Sequence, residues 1–333
     1  MKKIVFRADG NSISGLGHLY RIFALLEMCK DDFDCILLTR EDSAMEVIPA
    51  SYNCRQIPAL ISLEEEPSWI RQQFDPEAYL IVADGYHFNG AYQQKLKHLH
   101  FKLVYIDDMA QGQVYADLII NHAPSAHENQ YKTNEGTRLA LGTGFSMVRP
   151  LFLKAAAGSG KTKKMDTAFV CFGGADPFEL SDFVCKTLVT LKEIKKINVV
   201  VGGAFKSRGV FNVAEQYSSI QVHQNLSEAE LLQVMQESDF AVAPCSTILF
   251  ELCCVKMPVL TGYYVDNQKE AYYAFLNEKA VAGADNFKEL TAQELEKLVH
   301  DLLNSDNAPM LQKQAELFDG KQKERIVKIL NTL

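Results

Sequence analysis

The feature that most constrains this chain is an alternation of short, largely apolar runs with longer helical patterns, gone through twice. In the first half the apolar runs lie at 3–8, 34–38, 80–83, 102–106 and 118–121. Helical patterns at 17–30, 44–48, 69–74 and 89–99 fall between them. Leu19, Ile22, Phe23, Leu26 and Met28 sit nearly on one stripe, the spacing of a helix with one buried face. Strands with one wet face would alternate polar and apolar residues. These do not, and so predict a mostly parallel sheet covered by helices on both faces.

The alternation pauses between 125 and 165, where a short strand at 138–141 is followed by a stretch from Pro150 to Lys164 that includes Gly158-Ser159-Gly160. That composition marks a domain boundary. Strands then return at 168–172, 197–201, 220–222, 240–244 and 258–260. Helices follow at 180–190, 228–236 (with Ser227 as cap), 248–255, 267–278, 292–304 and 320–332. The prediction is an α/β chain of two Rossmann-like domains, 1–148 and 149–317, with a cleft between them. Ligands of such sheets bind beyond the carboxyl ends of the strands.

Composition excludes several classes. Lys and Arg number 34 against 42 Asp and Glu, a formal charge of −8, which argues against a nucleic-acid surface. A small anion remains open, because backbone N–H groups at helix N-termini hold one without a basic patch. Ile4-Val5-Phe6 is too short for a secretory h-region, and no run of about 20 apolar residues is present, so the expectation is a cytoplasmic protein without membrane contact. The eight cysteines have no metal-ligand spacing and read as reduced thiols, with no metal and no cofactor implied. Nothing signals an oligomer, and a monomer is the default.

The segment 155–162, ending Gly158-Ser159-Gly160-Lys161-Thr162, fits a loose P-loop pattern. A P-loop follows a strand and opens a helix. Here a strand follows the motif and none immediately precedes it, so the segment reads as a linker.

Chemistry concentrates in two places. The first runs from Arg7-Ala8-Asp9 through Gly15-Leu16-Gly17-His18 to Arg21, from a strand through a loop into a helix. Gly15 and Gly17 allow backbone to approach a ligand, and a helix N-terminus favours an anion. A histidine in the first helical turn is disfavoured as imidazolium and suited to accept a proton. The alternative is a common Gly-rich turn with His18 as a cap. Asp9 and Asp84-Gly85-Tyr86 both follow strands, and a carboxylate there either orients His18, binds sugar hydroxyls or caps a loop. The second place is Ser246-Thr247 at a helix start, with Glu251 one turn on, on the same face as Thr247. Hydroxyls there suit phosphate oxygens and the carboxylate suits a ribose diol, although a Ser-Thr cap alone is usually structural. Gly173-Gly174-Ala175-Asp176 forms a third loop at a strand end, another candidate for a diphosphate contact.

Together with Asp266-Asn267-Gln268-Lys269-Glu270 and Asp319-Gly320, these segments resemble the GT-B nucleotide-sugar enzymes. Within that family they resemble most the branch that hydrolyses UDP-linked diacetamido-trideoxy sugars in pseudaminic acid biosynthesis, over nearly the whole chain and in order. The resemblance implies His18 as the base that activates water and Tyr86 lining the sugar pocket. Asn267, with Gln268 beside it, would anchor the sugar or diphosphate. Glu251 would hold the ribose, and Ser246, Thr247, Gly173 and Gly174 the diphosphate. Uracil would meet backbone at Val222, with Met235 nearby. The same resemblance places Asp9 in the catalytic group and Gly15, Gly17 and Arg21 among the substrate contacts. It implies a last helix, 318–333, returning to the first domain, and metal-independent chemistry on a small UDP-sugar. Gly10-Asn11 departs from a Ser-rich pair expected after Asp9. A glycosyltransferase or a hydrolysing epimerase would use the same nucleotide site; a non-catalytic UDP-sugar binder would need no base at position 18.

Overall fold

The computed structural model describes residues 2–11, 15–158, 164–174, 176–203 and 205–333. Ser12, Ile13 and Ser14 of the first loop, Ala175 of the glycine loop and residues 159–162 of the P-loop-like segment lie outside the described residues. The chain divides into two compact units, one made of 1–150 with 321–333 and the other of Leu151–Gly320.

The first unit opens with β1 (Lys3–Ala8), α1 (Gly17–Cys29), β2 (Asp34–Arg40) and β3 (Cys54–Ile57). α2 (Glu66–Gln73), β4 (Tyr79–Asp84), α3 (Gly90–His98) and β5 (Lys102–Ile106) follow. The remaining strands are β6 (Gln113–Val114), β7 (Leu118–Asn121), β8 (Lys132–Thr133) and β9 (Arg138–Leu141). Seven of them form one parallel sheet in the order β3-β2-β1-β4-β5-β7-β9, and β6 pairs with β8. Order reverses beside β1, the switch point at which such sheets bind ligands. On one face Val5, Ile81 and Leu103 of the sheet pack with Ile70 of α2 and with Tyr92 and Leu96 of α3, all buried.

A buried ion pair pins the middle of this sheet to α2. Arg7 of β1 and Glu66 of α2 are both 0% exposed, with Arg7 Nε donating to Oε1 at 2.7 Å and Nη2 to Oε2 at 2.9 Å. The Tyr92 hydroxyl donates to the same Oε1 at 2.6 Å, and the Arg7 guanidinium lies 4.9 Å from the centre of the Phe88 ring.

The second unit begins within α4 (Pro150–Ala156), which runs into the first residues of the P-loop-like segment, so a helix and not a strand leads into it. It continues with β10 (Thr167–Val170), α5 (Leu180–Leu188), β11 (Lys196–Val201), α6 (Gly209–Gln216) and β12 (Ile220–Gln224). α7 (Glu228–Glu237), β13 (Phe240–Pro244), α8 (Thr247–Cys254) and β14 (Val259–Tyr263) come next. α9 (Lys269–Asn277), β15 (Ala282–Asn286), α10 (Ala292–Asn304) and α11 (Ala308–Leu317) complete the unit. Its parallel sheet has the order β12-β11-β10-β13-β14-β15, again with a reversal beside the first strand. Ser227 and Glu230 form a capping box at the start of α7, satisfying two otherwise unpaired N–H groups.

α12 (Gln322–Asn331) belongs to the first unit. Gln322 Nε2 donates to the Thr143 carbonyl at 3.4 Å, Lys323 pairs with Asp31 at 2.7 Å, and Ile326 and Leu330 are fully buried. Among the described residues no helix is long and apolar enough to cross a membrane.

Truncating Glu66 takes from the fully buried Arg7 its two-pronged partner and leaves it Asp9 alone among the described carboxylates. Glu66→Ala is expected to lower unfolding free energy by about 3–5 kcal/mol in urea titration. A loss below about 1 kcal/mol would mean that water or a neighbour replaces the carboxylate.

Candidate active site

The carboxyl ends of β1, β4 and β5 lie side by side, with Ala8 opposite Asp84 and Asp84 opposite Ile106. Residues just beyond those ends therefore share one edge of the sheet. α1 starts there too, with Gly17 as its first residue and no side chain capping it. His18 and Arg21, three apart, project from the same face of its first turns.

Asp84 is the partner of His18. It is fully buried, and its Oδ1 lies 2.8 Å from His18 Nδ1. A carboxylate only accepts, so the contact places the ring proton on Nδ1 and leaves the lone pair on Nε2. Among the described residues Nε2 has no hydrogen-bond partner. Arg21 Nη2 also comes within 3.2 Å of Nδ1, but that nitrogen donates to Asp84 Oδ1 at 2.6 Å, so the shorter contact decides the tautomer. The Tyr86 ring meets the imidazole edge to face, centroids 4.7 Å apart.

Arg21, which the sequence reading placed among the substrate contacts, is 7% exposed and turned inward. It grips Asp84 with two donors, at 2.6 and 2.7 Å, and Asp108 Oδ2 with a third, at 2.8 Å. Burial pulls the guanidinium's pKa down, but Asp84 and Asp108 more than reverse that and hold it well above its ordinary value. Burial likewise pushes Asp84 up, and the charge and hydrogen bonds of Arg21, with a smaller part from His18, leave it below the ordinary carboxylate range.

Asp9, placed with the catalytic group by the resemblance, makes its described hydrogen bonds elsewhere. Oδ1 accepts from Arg7 Nη1 at 2.5 Å and from the Arg40 backbone N–H at 2.9 Å, and Oδ2 lies 3.3 Å from His87 Nε2. Burial raises its pKa, and His87 and Arg7 together bring it far below the usual range. Of the two carboxylates the sequence left open, Asp84 meets the imidazole of His18 and Asp9 ties β1 to β2 and to His87. Sequence reading missed His87 and Asp108; their only signal was position, one residue beyond Tyr86 and two beyond the end of β5.

Gly15 has φ of +80°, and among the described residues a Cβ at Gly15 or Gly17 would meet nothing within 4 Å. Neither is hemmed in by those residues, as the loop needs if a ligand comes close. Gly85 is different. A Cβ there would stand 2.8 Å from His87 Cε1 and 3.1 Å from Phe88 Cε2, so the His87 ring would have to shift.

In the second unit, Ser246 is the N-cap of α8 in an extended conformation, and its side chain makes no cap hydrogen bond. Thr247 is exposed, and Glu251, one turn on, is 7% exposed. The α5 N-terminus is already filled, because Asp176 Oδ1 and Oδ2 accept from the N–H groups of Leu180 and Ser181 at 2.9 and 2.8 Å. The chain's own carboxylate thus takes the anion position of that helix. Gly173, with φ of +86°, and Gly174 remain on the loop before it, and a Cβ at Gly202 would meet Gly174 Cα at 2.6 Å, so the two glycine loops touch. Val222 is half-buried in β12 and Met235 fully buried in α7. Asn267 is exposed in a single 3₁₀ turn before α9, and Gln268 Oε1 accepts from the Tyr264 backbone N–H at 3.0 Å, stapling that turn.

The fold is that of the GT-B glycosyltransferases, with two Rossmann-like α/β units. MurG of Acinetobacter baumannii superposes with a TM-score of 0.68 at 11% identity, covering 100% of both chains. A Staphylococcus aureus MnaA–UDP structure gives 0.62 at 13%, covering 100% of this chain and 98% of that one. By sequence the chain is similar to the UDP-2,4-diacetamido-2,4,6-trideoxy-beta-L-altropyranose hydrolase of Campylobacter jejuni. The two are 24% identical over 278 residues, 80% of this chain and 93% of that protein. It is also similar to the uncharacterized protein MJ1062 of Methanocaldococcus jannaschii, 22% identical over 310 residues, 86% of this chain. The match spans 61% of that protein's length. No family model matches.

The lowered pKa values of Asp84 and Asp9 carry a sign. A depressed carboxylate adds stability that is fully present above its unfolded value, about pH 4, and is lost as pH falls through the folded value. Asp84→Asn is therefore expected to unfold more easily at pH 7 and to lose less further stability than wild type between about pH 4 and pH 2. Urea unfolding at stepped pH checks this, and parallel wild-type and variant curves would remove Asp84 from the acid response.

Proposed function

We propose that the chain hydrolyses a UDP-linked 2,4-diacetamido-2,4,6-trideoxy sugar, releasing free sugar and UDP. The observation that carries the reading is the His18–Asp84 pair. A base oriented by a buried carboxylate, with its other nitrogen clear of the described residues, is the arrangement that general-base catalysis needs. The name and the 80% coverage of the Campylobacter jejuni relative support the choice of substrate.

In the reaction, a water oxygen bonds to the anomeric carbon while the bond from that carbon to the diphosphate oxygen breaks. The water's proton passes to His18 Nε2, and the bonding pair leaves with UDP. Asp84 stabilises the imidazolium as it forms. The anomeric centre inverts, since water enters opposite the diphosphate. Tyr86 lines the sugar site beside His18, and Gly15 and Gly17 admit the ligand. Asp9 acts at one remove, by fixing the strand end and His87. In the second unit, Ser246, Thr247 and the free N–H groups of α8 receive the diphosphate, with backbone of Gly173 and Gly174. Glu251 holds the ribose, Val222 backbone meets uracil, and Asn267 anchors the sugar from a turn that Gln268 braces.

A second reading is favoured by the fold neighbours, several of which are glycosyltransferases. In it the same base takes its proton from an acceptor hydroxyl. Incubating the protein with the UDP-sugar and no acceptor separates the two, because rapid UDP release with free sugar in the proton NMR spectrum belongs to hydrolysis alone.

His18→Ala should lower kcat by roughly 10²- to 10⁴-fold while UDP still binds, measured by UDP release and calorimetry; an active variant takes the base role away from His18. Glu251→Gln should weaken UDP binding roughly tenfold, the cost of one charge-assisted hydrogen bond. Unchanged affinity would place the ribose elsewhere.

A further inference from the structure

The sequence marks Asp107-Asp108 only as the end of a strand, and the proposed hydrolysis assigns neither residue a part. Asp108 nevertheless stands where two supports of His18 meet. Its Oδ2 accepts from Arg21 Nη1 at 2.8 Å and, at a longer 3.4 Å, from the Tyr86 hydroxyl. Arg21 is the residue that grips Asp84, and Asp84 holds His18 Nδ1. Tyr86 is the ring that abuts the imidazole. One carboxylate oxygen therefore reaches the histidine by two routes, one through the nitrogen that carries the proton and one through the plane of the ring.

The charges point the same way. His122, just beyond β7, is pushed down to about 3, by burial first and by Arg21 second, and is uncharged near neutrality. Asp107 is raised by burial, and its Oδ1 closes the turn by accepting from the N–H groups of Met109 and Ala110. The cluster beside His18 sets one guanidinium between the carboxylates of Asp84 and Asp108. A histidine that takes a proton from water becomes a cation beside Asp84, whose charge Arg21 also draws on. Asp108 takes up part of the charge of Arg21, and removing it leaves Arg21 to bear on Asp84 alone of the two.

We propose that Asp108 is a positioning residue for His18, holding Asp84 in line with Nδ1 through Arg21 and fixing the imidazole plane through Tyr86. The kinetic part of this rests on the hydrolase reading, and the structural part does not. Two variants and two measurements test it. In Asp108→Asn, kcat for UDP release should fall roughly 10- to 100-fold with KM changed less than about threefold, the signature of a misplaced base rather than a lost substrate contact. In the proton NMR spectrum, the downfield resonance of His18 Nδ1–H, assigned by its disappearance in His18→Gln, should shift or broaden. Asp108→Glu keeps the charge on a longer arm, so it should lose less kcat than Asp108→Asn while still moving the resonance. It also decides the matter if the Asn variant does not fold. A resonance that stays in place in the folded variants overturns the proposal, and so does a change confined to KM. If wild-type protein releases no UDP, the hydrolase reading fails by itself, and the resonance still decides whether Asp108 positions His18.

Discussion

One buried guanidinium organises the candidate site. Arg21 draws together α1, the end of β4 through Asp84 and the segment after β5 through Asp108. Two buried charges, Arg21 and Asp84, with the half-buried Asp108, carry a desolvation cost that isolated pairs often fail to recover. Here every donor pairing is short, and two of the contacts to Asp84 form a fork, the geometry in which arginine recovers most. What the cluster secures is direction. It sets which oxygen of Asp84 faces Nδ1, and so which nitrogen of His18 is left to take a proton.

A second, separate charge group lies deeper in the same unit. Arg7, Glu66 and the Tyr92 hydroxyl bind the sheet to α2 and α3, and Arg7 also reaches Asp9. Arg7 and Arg21 thus divide the work. The first keeps the strand ends level, and the second uses that level edge to aim a side chain. The other unit follows a different rule. Its polar groups on α8 are not spent on internal caps, whereas α5 is closed by Asp176. One helix N-terminus is left able to meet an anion and the other is not.

Much of the architecture was legible because the central strands are apolar on both faces. β1, β4, β5, β10, β11 and β13 announce themselves by runs rich in Val, Ile, Leu, Phe and Ala. The missed strands are edges. β3 reads Cys-Arg-Gln-Ile and β15 reads Ala-Gly-Ala-Asp-Asn, neither with the composition that signals a strand, and both pair on one side only. The helices α4, α6 and α11 also escaped. α4 lies in a stretch whose Gly-Ser-Lys tail suggested a linker throughout. In the site, glycine spacing and a strand-to-helix turn make His18 a candidate with a cap as the equal alternative, and only the resemblance gives it the role of base. The spacing and the turn could not choose between Asp9 and Asp84, because both follow strands, and the choice depends on which strand ends lie next to α1. The motif suggests Arg21 as a ligand contact for a related reason. Its place in the motif was visible, but the two carboxylates that claim it are 63 and 87 residues away in sequence.

The return of α12 to the first unit means that this unit is not one continuous length of chain. A fragment ending at Pro150 would hold every strand of the first sheet yet leave bare the surface against which Ile326 and Leu330 pack. The seam closes between residues such as Asp31 and Lys323, 292 positions apart, so it cannot form until the whole of the second unit has been made. Until then the half-built unit carries an uncovered apolar stripe, and protection against sticking to its neighbours falls to whatever shields nascent chains.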